Sequence, residues 1–245
     1  MIGRARISLI VAAVLALLTP PALAQTGTVR LGTEGAYAPY TFLRDGRLVG
    51  FDIDLGDAIC RRAELSCEWV IHDWDTIIDG LLNDQYDAIM AGMANTAERR
   101  RLVSFSIGYE PGNSAAVYVG KHPEIRLETA VIAVQGNTIQ ENHIRNLDLN
   151  VALFATMQDA IDAVRDGRAD LVFGAEALLE NAVFTSKGAL TVVAREIVDA
   201  GAASIAFRKS DRKLRELFDT IIEDMQADGS LQELRQKWFS VKKDT

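Results

Sequence analysis

The sequence predicts an α/β protein with two mostly parallel sheets, each flanked by helices. From Val29 onward, short apolar runs alternate with segments of helical period, the pattern of βαβ units. A second series of the same kind begins after Ala115-Ala116-Val117-Tyr118-Val119. A chain of 245 residues, 49% of them hydrophobic, can bury a large core as one domain or as two smaller lobes. Two parallel-sheet units favour the second arrangement.

In the first series Val29-Arg30-Leu31-Gly32-Thr33 reads as a strand. Residues 54–65 read as a helix with Leu55, Ala58 and Ile59 inward, and residues 68–71 as the next strand. Trp74, Ile77, Ile78, Leu81 and Leu82 have the spacing of a buried helical stripe, and residues 86–90 follow as a strand. In the second series residues 131–134 are a strand, Gly136-Asn137-Thr138 opens a helix, and residues 151–154 are another strand. Thr156 with Asp159 gives a capping-box start to a helix carrying Ala160, Ile161 and Val164. Residues 171–173 then read as a strand and 176–184 as a helix. Residues 203–207 read as a strand, and Leu214, Leu217, Phe218, Ile221, Ile222 and Met225 form the cleanest helical stripe. Gly229 ends it, and Leu231, Leu234 and Trp238 begin a short last helix.

The first residues bear on compartment. Arg4 and Arg6 precede an apolar run over residues 7–18, then Pro20-Pro21 and Ala22-Leu23-Ala24, the plan of a cleavable secretory signal over residues 1–24. The mature chain is expected to begin near Gln25. No Cys stands at the cleavage site, so a lipid anchor there is not supported, and the product is expected to be soluble and exported. The formal charge is −8, more negative once Arg4 and Arg6 leave, which argues against nucleic acid and anionic membranes as partners. Cys60 and Cys67 are the only cysteines. In an oxidising compartment they read as one disulfide, worth on the order of 2–3 kcal/mol, with free thiols or a metal as alternatives. His72, His122 and His143 show no ligand spacing near either Cys, so no metal is expected.

The stretch Tyr86-Asp87-Ala88-Ile89-Met90-Ala91-Gly92-Met93 runs into Ala94-Asn95-Thr96-Ala97-Glu98-Arg99. Small residues let a ligand approach the backbone, Thr96 can cap a helix, and Arg99 offers a planar fork for a carboxylate. A buried strand, a capped helix and a solvated Arg would produce the same string. Ligands of open α/β sheets bind beyond the carboxyl ends of strands, so residues 91–96 and 135–138 are expected to face one cleft. No phosphate loop, dinucleotide fingerprint or nucleophile elbow is present, so neither a cofactor nor a catalytic residue is expected.

Several further motifs occur in order: residues 32–40, Val49-Gly50-Phe51-Asp52-Ile53-Asp54-Leu55, Asp73-Trp74-Asp75, Phe105-Ser106, Gln135-Gly136-Asn137-Thr138, Gly167-Arg168-Ala169-Asp170 and Ala227-Asp228-Gly229-Ser230. Together with residues 86–99 they resemble the polar amino-acid family of bacterial periplasmic solute-binding proteins, family 3, which serve ABC importers. The nearest branch binds lysine, arginine, ornithine and histidine, or octopine and nopaline, and has a cysteine pair with the separation of Cys60 and Cys67. The resemblance implies the two-lobed periplasmic binding protein (type II) fold with two hinge crossings, near residues 111–116 and 198–204. Lobe 1 would comprise residues 25–113 and 200–245, and lobe 2 residues 114–199. It also implies a periplasmic monomer and an inner-membrane ABC permease as partner.

The same resemblance implies the pocket. Arg99 falls on the arginine that binds the ligand α-carboxylate, with the backbone N–H groups of Ala94 and Thr138 beside it. Gly92 falls where a carbonyl receives the α-ammonium, and Asn137 shares the loop of Thr138. Tyr37 and Trp74 fall on an aromatic pair that sandwiches the ligand side chain, a favourable setting for a cation, although both rings could be core fillers. Glu34 falls where an acid meets the distal cation; a surface acid at a strand end is its alternative. Asp52 and Asp54 read as capping and dipole partners of a helix.

Three departures stand out. Ala175 occupies the position of the carboxylate that receives the α-ammonium, Ala91 and Ala94 replace hydroxyl residues, and Ile139 follows Thr138 in place of a polar side chain. The expected ligand is therefore a small carboxylated, cationic amino acid or derivative, opine-like compounds included. A dehydratase-like enzyme on the same fold and a ligand-presenting sensor module are the alternatives.

Overall fold

The computed structural model describes residues 27–111 and 113–239; the leader assigned to residues 1–24 lies outside them. The first sheet has the order β5-β1-β6-β13-β7, from strands β1 (Val29–Thr33), β5 (Cys67–Ile71), β6 (Ala88–Ile89), β7 (Ser104–Phe105) and β13 (Ala206–Phe207). β1 pairs in parallel with β5 and β6, and β13 runs antiparallel to β6 and β7. The second sheet has the order β10-β9-β11-β8-β12, from β8 (Asn113–Gly120), β9 (Val131–Gln135), β10 (Asn150–Phe154), β11 (Leu171–Ala175) and β12 (Thr191–Asp199). Its strands β9, β10 and β11 are parallel, and β8 is antiparallel to β11 and β12.

Each sheet is covered on both faces, so apolar runs rather than strict alternation mark its central strands. One face of the first sheet packs Leu31 against Phe51, Leu55 and Ile59 of α1 (Phe51–Arg62), Phe218 and Ile222 of α7 (Arg212–Ala227), and Leu231 of α8 (Ser230–Phe239). The other packs Ile89 against Tyr86 and against Ile77 and Leu81 of α2 (Ile77–Leu82). In the second sheet, α5 (Met157–Asp166) contributes Ala160, Ile161 and Val164 to one face. The other face holds Tyr118 and Phe173, stacked at 4.2 Å. Thr156 caps α5 as read, its hydroxyl accepting the Asp159 N–H at 3.0 Å, but the Asp159 carboxylate accepts from that hydroxyl at 2.7 Å rather than from the Thr156 N–H, so the reciprocal half of the capping box is absent. Gly167 ends α5 in the left-handed conformation.

The chain passes between the sheets twice, from β7 to β8 and from β12 to β13, which puts the carboxyl-terminal helices on the first sheet. At the crossings Ala203 bridges to both Ala94 and Glu110. Gly201 lies so close to Asn95 that a Cβ there would stand 2.1 Å from its Oδ1, so glycine is required. Cys60 of α1 and Cys67 at the start of β5 are joined in a disulfide with Cα atoms 6.2 Å apart.

Several expectations are corrected. The first helix begins at Phe51 rather than 54, because Gly50 stands at its N-cap with φ 143°, where a Cβ would lie 2.1 Å from the Tyr40 carbonyl. The stripe from Trp74 to Leu82 is a 3-10 turn (Trp74–Thr76) followed by the short α2, and Leu82 is exposed. The strand at 203–207 shortens to β13, since Ala203 pairs only as an isolated bridge. Asp52 and Asp54 stand in the first turn of α1, as a dipole role requires, but neither caps it. Asp52 turns into the core, and the Asp54 carboxylate accepts from Trp238 Nε1 at 2.6 Å and Lys237 Nζ at 2.5 Å, tying α8 to α1.

Candidate functional site

The carboxyl ends of β1, β6, β9 and β11 converge on one cavity between the two sheets. Its walls include Glu34, Tyr37, Trp74, Gly92, Ala94, Arg99 and Thr138. Seven of the eight residues singled out as ligand contacts thus share a single enclosure. Asn137 is the exception: it lies beside an adjoining surface hollow with Asp75 and Glu141. Its backbone takes a positive φ of 57°, its N–H donates to Glu141 Oε2 at 2.6 Å, and its Nδ2 reaches Asp75 Oδ1 at 3.4 Å. Its carbonyl nevertheless accepts from Arg99, so the residue touches the site through its backbone.

Arg99 stands in the first turn of α3 (Ala97–Leu102), which Thr96 caps by accepting the Arg99 N–H at 3.3 Å. That cap fixes where the side chain emerges. Nη1 donates to the Ala94 carbonyl at 3.0 Å and Nη2 to the Asn137 carbonyl at 2.8 Å, while the guanidinium lies 5.1 Å from the centroid of the Trp74 ring. The fork therefore spans the two sheet units and lies over an aromatic face. Burial brings its pKa down to about 10, so it stays cationic at neutral pH. Two of its five N–H groups are used by these carbonyls, leaving donors for an oxyanion.

Backbone geometry adds to this. The bridge between Ala94 and Ala203 uses the Asn95 N–H to the Ala202 carbonyl and the Ser204 N–H to the Met93 carbonyl, so the N–H of Ala94 itself points away from that bridge. Across the cavity Thr138 caps α4 (Ile139–Arg145), its hydroxyl accepting from the Glu141 N–H at 3.1 Å and donating to the Gln135 carbonyl at 2.8 Å. Both loops end strands, as the general rule for open α/β sheets requires.

Glu34 follows β1 and accepts from Gln135 Nε2 at 2.9 Å. Burial raises its pKa, the Gln135 hydrogen bond opposes that rise, and the nearby Asp75 and Asp73 charges add to it. Tyr37 stacks on Tyr40 at 5.1 Å with the planes 9° apart, and Gly92, at φ 60°, leaves room for it: a Cβ there would stand 2.8 Å from Tyr37 Cε1. Beneath this floor Asp52 Oδ2 accepts from the Gly92 N–H at 2.5 Å and the Tyr109 hydroxyl at 3.0 Å.

Sequence reasoning passed over four further wall residues: Gln135, Gln140, Met157 and Leu178. Gln135 was visible as part of a motif, but its long amide was not read as a bond across the cleft. Gln140, Met157 and Leu178 sit in the first turns of the helices that follow β9, β10 and β11, a position that could have flagged them. Among the described residues no group of three or more His, Cys, Asp or Glu is arranged to hold a metal ion.

Residues 29–241 match the family model described as bacterial extracellular solute-binding proteins, family 3. The L-arginine-binding protein of Pseudomonas aeruginosa is 30% identical, the match covering 96% of each chain. The octopine-binding periplasmic protein of Rhizobium meliloti is 28% identical over 96% of this chain and 98% of its own. Among solved structures, a periplasmic His/Glu/Gln/Arg/opine family-binding protein from Silicibacter pomeroyi in complex with lysine superposes with a TM-score of 0.82 at 41% identity. That match covers 87% of this chain and 98% of the other. With the family model spanning nearly all of the described chain and the cavity seated between two sheets at the ends of their strands, the chain belongs to the bacterial extracellular solute-binding proteins, family 3.

Proposed function

We propose that this protein is a periplasmic receptor of an ABC importer that captures a small carboxylated, cationic amino acid or amino-acid derivative between its lobes and presents it to a membrane permease. The observation that carries the reading is the Arg99 fork, held by one carbonyl from each side of the cavity and backed by Trp74. A carboxylate entering there meets a bidentate cation and, from Ala94 and Thr138, backbone N–H groups. Glu34 then receives the distal cation, and Tyr37 and Trp74 flank the chain between. A buried carboxylate steadied by one amide is costly until a cation joins it, so Glu34 favours basic ligands.

The lobes in this reading are residues 25–113 with 200–245, and residues 114–199. Closure of one on the other brings Asn137 to Arg99 and Gln135 to Glu34, so the residues that grip ligand also latch the closed form. The relatives named for arginine, octopine and lysine support the ligand class. Recognition rests on binding alone, with no chemical change to the solute.

A thermal-shift screen of basic amino acids, opines and related guanidino carboxylates tests the reading. A ligand at 100 times its dissociation constant adds about 2.7 kcal/mol of stability. Arg99→Ala is expected to abolish the shift and Glu34→Gln to weaken it for basic ligands only. Retention of the whole shift by Arg99→Ala would refute the carboxylate assignment.

A further inference from the structure

The charges around the cavity do not match those of a basic amino acid. Such a ligand brings one carboxylate and two cations, its α-ammonium and its distal group. Among the described wall residues Arg99 is the one cation and Glu34 the one acid. Three other acids nearby are engaged by other groups. Asp52 faces the Gly92 N–H and the Tyr109 hydroxyl, and Asp75 faces Asn137 outside the cavity. Glu176, the first residue of α6 (Glu176–Thr185), joins Glu180 in pairing with Arg195, at 2.8 and 2.9 Å.

The wall around Ala175 is also apolar. Ala175 ends β11, and Ile139, Met157 and Leu178 line the cavity with it. A second ammonium here would find only neutral acceptors and no carboxylate to offset its desolvation. A charge moved into such a place without a counter-ion costs more than it returns.

We infer that the preferred ligand carries one carboxylate and one distal cation and lacks a free primary ammonium at the α position, with the apolar wall at Ala175, Met157 and Leu178 selecting against that group. This rests on the proposed function, since it takes Arg99 as the carboxylate site and Glu34 as the cation site. It adds that specificity is decided beside the ligand carboxylate by the absence of a second acid.

Calorimetry on the wild-type protein separates the possibilities with three probes: L-arginine, the arginine analogue without its α-amino group, and L-norleucine. The expected result is that the des-amino analogue binds at least about tenfold more tightly than arginine, with norleucine weakest. Arginine binding tenfold or more tightly than the analogue, or the two binding equally, overturns the inference and leaves the carboxylate and distal-cation sites standing. Norleucine binding best, or none of the three binding, overturns the proposed function and the inference with it. In the Ala175→Asp variant the preference is expected to reverse in favour of arginine; a variant that folds and keeps the wild-type ratio counts against the assigned wall. The wild-type comparison decides the matter even if that variant fails to fold.

Discussion

Replacing Asp52 by asparagine is expected to stabilise the ligand-free protein above neutral pH and to flatten its pH dependence. The carboxyl is fully buried, with Oδ2 accepting from Gly92 N–H and the Tyr109 hydroxyl while Oδ1 has no partner among the described residues. Burial dominates these two donors, and the Glu110 charge adds to it, so the carboxyl is pushed from 3.8 up to about 7. Between those values the native state holds a proton that the unfolded state has released. The stability due to the neutral carboxyl is therefore complete below the unfolded value and is lost as pH rises through 7. A gap of about three units corresponds to roughly 4 kcal/mol between the acid and alkaline limits. Asparagine keeps a carbonyl oxygen for Gly92 and Tyr109 and never ionises, but its NH₂ group needs a partner, which offsets about 1–3 kcal/mol of the gain. Urea melts of both proteins from about pH 4.5 to 9 read the difference, with the variant gaining on the wild type by roughly 1–3 kcal/mol at the alkaline end. Parallel stability curves would refute the buried ionisation.

Gly92→Ala is expected to weaken both fold and ligand binding, because a Cβ would stand 2.8 Å from the Tyr37 ring at a φ of 60°; a loss of about 1–3 kcal/mol in chemical denaturation checks this. Replacing Cys60 and Cys67 by serine opens a short loop that is not part of the cavity walls, so stability is expected to fall by about 2–3 kcal/mol while ligand affinity is unchanged. Calorimetry alongside the melts separates those two effects. Glu34→Gln is expected to cost basic ligands about tenfold or more in affinity and neutral ones little, measured by competition between the two classes.

The long elements were legible because their physics is local. The stripe from Leu214 to Met225 became α7, and the Thr156 cap became the start of α5. Elements whose partners lie far away in sequence were not. β12 mixes apolar residues with Arg195, Glu196 and Asp199 and is mostly partly exposed, and it becomes a strand because β8 lies alongside. The small sheet of β2 (Ala36–Tyr37), β3 (Thr41–Arg44) and β4 (Arg47–Val49) rests on register between short segments that carry little signal. At the site, Arg99 was readable from its cap and spacing, whereas the Glu34–Gln135 bond joins residues a hundred positions apart. Asp52 was misread although the pattern held a clue: it stands three residues before Leu55 and seven before Ile59, on the stripe that faces the core.

The most direct test of the account is a crystal structure of the protein with the ligand selected by the thermal-shift screen. The ligand carboxylate is expected within hydrogen-bond distance of the Arg99 guanidinium and of the Ala94 N–H, and its cation on Glu34, enclosed by Tyr37 and Trp74. A carboxylate bound away from Arg99, or a ligand seated outside this cavity, would contradict it.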